Sequence, residues 1–273
     1  MLDRILHKWF KLPYTLHIRH IRRPKRPVAT YVFIHGIGNS GDAWSEVIAG
    51  LPDNIRIITV DLLGFGTSPN PKWATYNVST QARSVTATLL KLRIIGRVVL
   101  VGHSLGSLVA IVVAKKYPMN IDSLLLCSPP LYTSNDTQSK LPIQSDKMLR
   151  ALYRSALRRP SQFVAIASFA MRYNLVNKSF NVTHENVSTY MTALEAMIIN
   201  QTSYKDARQL TVPVHILEGT LDPFVLHARL KRLAKQNSNI TLQTVLAGHE
   251  VRGLFVKALI KRIRQDNDSA YSA

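Results

Sequence analysis

The stretch that most constrains this 273-residue chain is Val98-Val99-Leu100-Val101-Gly102-His103-Ser104-Leu105-Gly106, which runs on into Ser107-Leu108-Val109-Ala110. Val98 to Val101 is a short β-branched and aliphatic run of the kind that forms a buried strand. Leu108 to Ala114 has the apolar content of a buried helix. Between them, G-x-S-x-G with Ser104 at its centre predicts a sharp strand-to-helix turn. Glycine is needed on both sides, because the serine backbone is strained there and side chains at Gly102 and Gly106 would crowd the turn. Such a turn lifts the Ser104 hydroxyl off the sheet and sets it at a helix N-terminus, where developing negative charge is favoured. A pattern that fixes three positions also arises by chance. The strand before it and the helix after it give it weight.

The alternation of apolar run and turn recurs along the chain. Tyr14 to Ile21 alternates like a strand, and Arg22-Arg23-Pro24-Lys25-Arg26-Pro27 is a basic turn. Val28 to Ile34 predicts a strand ending in the glycine-rich His35-Gly36-Ile37-Gly38-Asn39-Ser40-Gly41. Backbone amides in such a turn can point at a ligand. The Gly-Lys-Ser/Thr ending of a phosphate loop is missing, and so is the spacing of a dinucleotide fingerprint. Ile55 to Val60 is the next strand, followed by Asp61-Leu62-Leu63-Gly64-Phe65-Gly66-Thr67-Ser68; Ser79 is expected to cap a helix running to Leu92. Ile121 to Leu126, Val212 to Leu217 and Ile240 to Leu246 complete the strands, and Gln265 to Ala273 reads as a frayed tail. Strands alternating with helices predict an α/β domain whose mainly parallel sheet is covered on both faces.

Between Leu131 and Arg208 the rhythm changes to helical stripes: Met148, Leu149, Leu152 and Tyr153; Phe163, Ile166, Ala167 and Ala170; Val187, Tyr190, Met191, Leu194 and Ile198. The expected organisation is a core over 1–130, a helical cap over 131–208 and a return to the core over 209–273. Methionine is flexible and fills irregular apolar space. Met148, Met171 and Met191 are therefore candidates for an adaptable pocket, against the alternative of packing between cap and core. At the N-terminus, Leu2, Ile5, Leu6, Trp9 and Phe10 share one helical face, with Arg4, Lys8 and Lys11 off it. Residues 1–12 thus predict a short basic amphipathic helix, suited to a membrane surface or to packing on its own domain.

Thirty-five Lys and Arg against 16 Asp and Glu give a net charge of +19. A basic excess favours anionic surfaces, membranes or nucleic acid, but can also be a general bias that keeps a chain soluble. No zinc spacing, RNA-binding signature or basic-region heptad accompanies it, so no nucleic-acid partner is expected. The single cysteine, Cys127, excludes an internal disulfide and fits a reducing compartment. No run reaches the roughly 18 apolar residues of a membrane span, and no secretory signal is evident. The expectation is a cytoplasmic location, with peripheral membrane contact through residues 1–12 as an option.

Ser104, Asp222 and His249 each follow a predicted strand. In a parallel sheet the carboxyl ends of the strands share one edge, so residues far apart in sequence can meet there. Alone, Asp222 after Gly-Thr-Leu would be a turn residue and His249 after Gly248 a loop residue; the signal is their joint occurrence in the order Ser, Asp, His. With His35-Gly36-Ile37-Gly38, the Asp61–Ser68 segment, Gly219-Thr220-Leu221-Asp222 and Gly248-His249, the chain resembles the α/β-hydrolase superfamily across residues 14 to 264, in the branch with a helical cap. The resemblance implies a mostly parallel eight-stranded sheet flanked by helices, with the cap inserted. It further implies Ser104 as nucleophile, His249 as base and Asp222 as the group that orients His249. The amides of Ile37 and Leu105 would bind the oxyanion, and Gly36, Ile37 and Leu105 would lie against the substrate. No metal or organic cofactor is expected.

Haloalkane dehalogenases and epoxide hydrolases of this branch carry aspartate where this chain has Ser104, so acyl chemistry is expected instead. The leading expectation is a serine hydrolase of small to medium carboxylic esters, lactones included, acting on a small molecule through an acyl-enzyme. One alternative is a carbon–carbon bond hydrolase of ring-cleavage products. That would need a cap arginine and an aromatic side chain facing the site, with Arg150, Arg154, Arg158 and Arg172 as candidates for the arginine. Others are a slow-turnover ligand sensor and a membrane-bound lipase or acyltransferase. His103 is expected to be a packing or hydrogen-bonding neighbour of the turn, Asp61 to fix its own loop and Cys127 to be core. The oligomeric state is left open.

Overall fold

The computed structural model of the protein describes residues 2–117, 121–132, 153–154, 156–173, 176–199 and 202–271. Seven strands form one sheet: β1 Ile18–Arg22, β2 Thr30–Ile34, β3 Arg56–Val60, β4 Val98–His103, β5 Ile121–Cys127, β6 Val214–Gly219 and β7 Ile240–Val245. Their order is β1-β3-β2-β4-β5-β6-β7. Every neighbouring pair is parallel except β1 with β3. The helices are α1 Leu2–Arg4, running on as a π-helical turn over Ile5–Trp9, then α2 Ser45–Ala49, α3 Val78–Lys91, α4 Leu105–Lys116, α5 Pro160–Arg172, α6 Val187–Ala193, α7 Ser203–Arg208, α8 His227–Gln236 and α9 Leu254–Tyr271.

Side chains alternate across a strand, so a sheet covered on both faces buries every residue of its central strands. Val32, Ile34, Ile58, Leu100, Leu124, Leu126 and Ile216 face one core, which α3 and α4 complete with Val85, Leu89, Leu108 and Ile111. Tyr31, Phe33, Ile57, Val99, Val101, Leu125, Cys127 and Leu217 face the other, closed by Trp44, Val47, Phe255 and Leu259. The Cys127 thiol is a free, buried member of that second core.

The sheet has seven strands among the described residues, not the eight implied by the resemblance. Ahead of β1 the chain is helical from Leu2 to Trp9. Apolar residues there recur at helical spacing, and Pro13 has no amide to give to a ladder, so no described residue pairs with the outer edge of β1. Two smaller expectations also change. Asn77, not Ser79, caps α3: its backbone is extended and its side chain accepts the Thr80 amide at 2.8 Å. The segment after Gln265, expected to fray, continues α9 to Tyr271, where Asn267 is buried near Asn54. Between β5 and β6 the regular elements among the described residues are all helical: α5, α6, a π-helical turn over Leu194–Ile199, and α7. Among the described residues no helix is long and apolar enough to cross a membrane.

Parallel pairing delivers the ends of β2, β3, β4, β5, β6 and β7 to one edge. The start of α4 lies hard against the end of β2. A Cβ on Gly106 would collide with the Ile34 carbonyl, and one on Gly102 would lie 2.6 Å from the Gly106 backbone. The turn between them holds Ser104 at φ 51° and ψ −117°, a conformation that costs on the order of 1–3 kcal/mol and persists only where its surroundings impose it.

Asp61, fully buried at the end of β3, does more than fix its own loop. Its carboxylate accepts the Thr67 amide at 2.8 Å, the Gly41 amide at 2.8 Å and Arg19 Nη2 at 2.6 Å. It thereby joins β1, the turn after β2 and its own loop. Burial pushes its pKa up, but the two amides and the guanidinium outweigh this and hold it below the ordinary value.

Gly106→Ala is expected to destabilise the fold by about 1–3 kcal/mol, because α4 must move off β2 to admit one methyl group. Urea unfolding of the variant beside the parent checks this; an unchanged midpoint would show that the turn yields freely.

Candidate active site

The turn after β4 presents Ser104, with its amide hydrogen-bonded to the Cys127 carbonyl at 2.9 Å. The turn after β6 presents Asp222. It is tied to the end of β7 by Thr220 N to the Val245 carbonyl at 2.8 Å and Leu221 N to the Ala247 carbonyl at 3.0 Å. That second tie brings His249 alongside. His249 Nδ1 lies 2.8 Å from Asp222 Oδ2, and its Nε2 lies 3.0 Å from Ser104 Oγ. The carboxylate can only accept, so the imidazole proton sits on Nδ1. Nε2 is then bare and accepts the Ser104 hydroxyl. The three residues nominated from separate loops are thus in one unbroken line of hydrogen bonds, able to move a proton off Ser104.

Asp222 is buried and also accepts the Phe224 amide at 2.8 Å. Burial pushes its pKa up; the hydrogen bond and charge of His249 and the Phe224 amide outweigh this, so it lies below the usual carboxylate value. His103 is a neighbour of this line and no part of it. Its Nε2–H donates to the His249 carbonyl at 2.9 Å, and the two rings lie 5.1 Å apart. Burial lowers the pKa of His103 and keeps it neutral. The Phe224 ring meets His249 edge-on at 5.0 Å. Cys127 is fully enclosed, and burial raises its thiol pKa, so it offers no thiolate here.

The turn after β2 closes another side. His35 is completely buried. Its Nδ1–H donates to the Gly36 carbonyl at 2.7 Å and its Nε2 accepts the Leu62 amide at 2.9 Å. Gly36 and Ile37 line a cavity of about 190 Å³ beside Ser104 and His249. The amide of Leu105, first residue of α4, and that of Ile37 donate to no described residue. Leu105 contributes no side chain to the cavity, since its side chain is fully buried in the core below.

The remaining walls are largely aromatic: Tyr132, Phe163, Phe180, Tyr190 and Phe224, joined by Pro130, Val176, Leu194, Asn39 and Glu250. The structure does not bring the nominated methionines here. Met191 is buried beside a separate hollow with Tyr153 and Val187, Met171 is on the surface, and Met148 lies outside the described residues. The aromatic lining escaped the sequence analysis. Phe163 and Tyr190 stood in the helical stripes, where packing and pocket lining look alike. Phe180 and Phe224 belong to no periodic pattern. Of the four arginines considered for the cavity, Arg154, Arg158 and Arg172 are exposed and line no part of it, and Arg150 lies outside the described residues. Among the described residues no group of three or more His, Cys, Asp or Glu side chains could hold a metal ion.

The family model described as alpha/beta hydrolase fold matches residues 32–251. A probable lysophospholipase of Arabidopsis thaliana, BODYGUARD 4, is 30% identical over 113 residues, which is 41% of this chain and 27% of the relative. The match thus spans about a quarter of that relative's length. Two solved structures share the fold. The enol-lactonase from Burkholderia xenovorans LB400 superposes with a TM-score of 0.69 at 21% identity, covering 93% of this chain and 96% of that one. A thermophilic esterase from Thermogutta terrifontis gives 0.70 at 20% identity, covering 90% and 91%.

The buried His35 makes stability pH-dependent. Burial holds its pKa at about 4 in the folded chain, against roughly 6.5 when unfolded. Between these values the unfolded chain binds more protons, so stability falls as pH falls. The contribution is intact above about pH 6.5 and lost on reaching about pH 4, a change of about 3 kcal/mol. Urea midpoints measured across this window should decline, and decline less in His35→Gln; equal slopes would exclude His35 as the cause.

Proposed function

The chain belongs to the alpha/beta hydrolase fold family, and from that premise we propose that it hydrolyses carboxylic esters of small to medium acyl groups, lactones included, with Ser104 as nucleophile. One observation carries the reading: the line from Ser104 Oγ to His249 Nε2 at 3.0 Å and from His249 Nδ1 to Asp222 Oδ2 at 2.8 Å.

In this reading Ser104 attacks the ester carbonyl as His249 takes its proton, and Asp222 stabilises the imidazolium. The amides of Leu105 and Ile37, unpaired among the described residues, receive the oxyanion; a donor of this kind contributes about 3 kcal/mol to transition-state stabilisation elsewhere. His249 returns the proton to the leaving alcohol. Water, deprotonated by the same imidazole, then cleaves the acyl-enzyme. The helix dipole of α4 favours the negative charge at its start. Residues 131–208 act as a cap, contributing Phe163, Phe180, Tyr190 and Leu194 over a core of 1–130 and 209–273. A cavity of about 190 Å³ is below the range of drug-sized sites and suits short acyl groups. The carbon–carbon alternative draws no support from Arg154, Arg158 or Arg172, which are away from the cavity.

Ser104→Ala is expected to lower hydrolysis of a chromogenic short-chain ester by about 10⁴-fold or more, and Asp222→Asn by about 10⁴-fold, with the circular dichroism of both unchanged. Unchanged turnover in Ser104→Ala would remove that residue from the mechanism.

A further inference from the structure

Two exposed apolar patches sit at the end of the molecule that carries the cavity, and basic side chains border each. In the N-terminal segment Trp9 is 75% exposed and Phe10 71%, next to exposed Leu2 and Leu12. Arg4, Lys8 and Lys11 are exposed among them. On α5, Ile166 is 65% exposed and Phe169 57%. With Tyr173 they form a stripe at i, i+3 and i+7, opposite buried Val164 and Ala167, and the Phe169 and Tyr173 rings lie 4.4 Å apart. Arg158 lies just before this helix and Arg172 at its end, both exposed.

Single exposed apolar residues are ordinary. Two clusters rich in aromatic residues are not, and α5 turns large side chains outward although its own inner face is filled. Aromatic rings beside Lys and Arg are the composition of the membrane–water boundary. Both clusters lie on segments that connect to elements of the candidate site. The same α5 that shows Ile166 and Phe169 outward supplies Phe163 to the cavity wall. Lys8 and Lys11 share a hollow with Leu63 and Trp73, on the loop after β3. That loop reaches α6 through Thr189 Oγ1 to Asn70 Oδ1 at 2.9 Å.

We propose that this end of the molecule docks on an anionic lipid surface. Trp9 and Phe10 from one cluster, with Ile166 and Phe169 from the other, enter the interface, while Lys8, Lys11, Arg158 and Arg172 meet the headgroups. The net charge of +19 attracts the whole molecule to such a surface. The cavity then opens toward the lipid. Docking is a binding event and does not depend on the ester chemistry.

The test sediments the full chain with vesicles of phosphatidylcholine alone, and with vesicles of phosphatidylcholine and phosphatidylserine. The parent should pellet with the anionic vesicles, less so as salt rises, and more weakly with the neutral ones. Trp9→Ser with Phe10→Ser, and separately Ile166→Ser with Phe169→Ser, should each lower the partition coefficient about tenfold or more. Thermal midpoints equal to the parent's show that these exposed changes leave the fold intact; Lys8→Glu with Lys11→Glu gives an independent route to the same loss. Three outcomes overturn the proposal: no pelleting with anionic vesicles, pelleting of both patch variants equal to the parent, or equal binding to neutral and anionic vesicles. A dimer in solution that dissociates in both patch variants, without vesicle binding, overturns it in favour of a second copy as the occupant.

Discussion

Everything at the candidate site depends on how closely α4 approaches β2. Gly106 has no Cβ, and the Ile34 carbonyl occupies the space one would need. With that approach allowed, the chain leaves β4, passes through Ser104 at a positive φ and enters α4 without an intervening loop. The hydroxyl is raised above the sheet edge, and the first amide of α4 beside it has no partner among the described residues. A side chain at Gly106 would force the helix away and relax the very backbone that exposes the serine. The strain is local; the two cores, packed against both faces of the sheet, hold it in place.

The next layer of organisation is the tying of loops to one another. The Asp222 turn is hydrogen-bonded to the end of β7, so placing the carboxylate also places His249. His103 holds the His249 carbonyl from below, and Phe224 bounds the ring. On the opposite flank Asp61 and His35 join the turns after β2 and β3 through buried hydrogen bonds. These groups touch no reacting atom, yet they determine where the amide of Ile37 stands.

Chemistry and recognition come from different parts of the chain. The proton path comes from strand ends, whose positions the sheet dictates. Much of the cavity wall comes from the segment between β5 and β6, through Tyr132, Phe163, Phe180 and Tyr190, with Phe224 added from the turn after β6. Family membership gives the scaffold and is silent on the lining, since one scaffold supports many reactions. The outward faces of α5 and the N-terminal segment add a third element, exposed apolar residues with basic side chains beside them.

Much was legible from residue order alone. The G-x-S-x-G turn lay between a strand and a helix, Asp222 and His249 followed later strands, and short continuous apolar runs marked most of the sheet. These features are local: each depends on spacing within a few residues, which sequence states directly. The apolar runs marked seven strands, the number found among the described residues; the eighth came from the resemblance alone, and residues 1–12, with their helical period, supply no strand for it. The cavity lining was not legible. Met171 and Met191 were no worse candidates than Phe163 and Tyr190 in a stripe of apolar residues. Which side of a helix meets a cavity is decided by packing across the whole fold, and Phe180 and Phe224 arrive from segments with no period at all. Sequence by itself therefore determined the scaffold and nominated Ser104, Asp222 and His249. Tertiary structure alone decided their distances and surroundings, because burial and contact arise between segments that sequence keeps far apart.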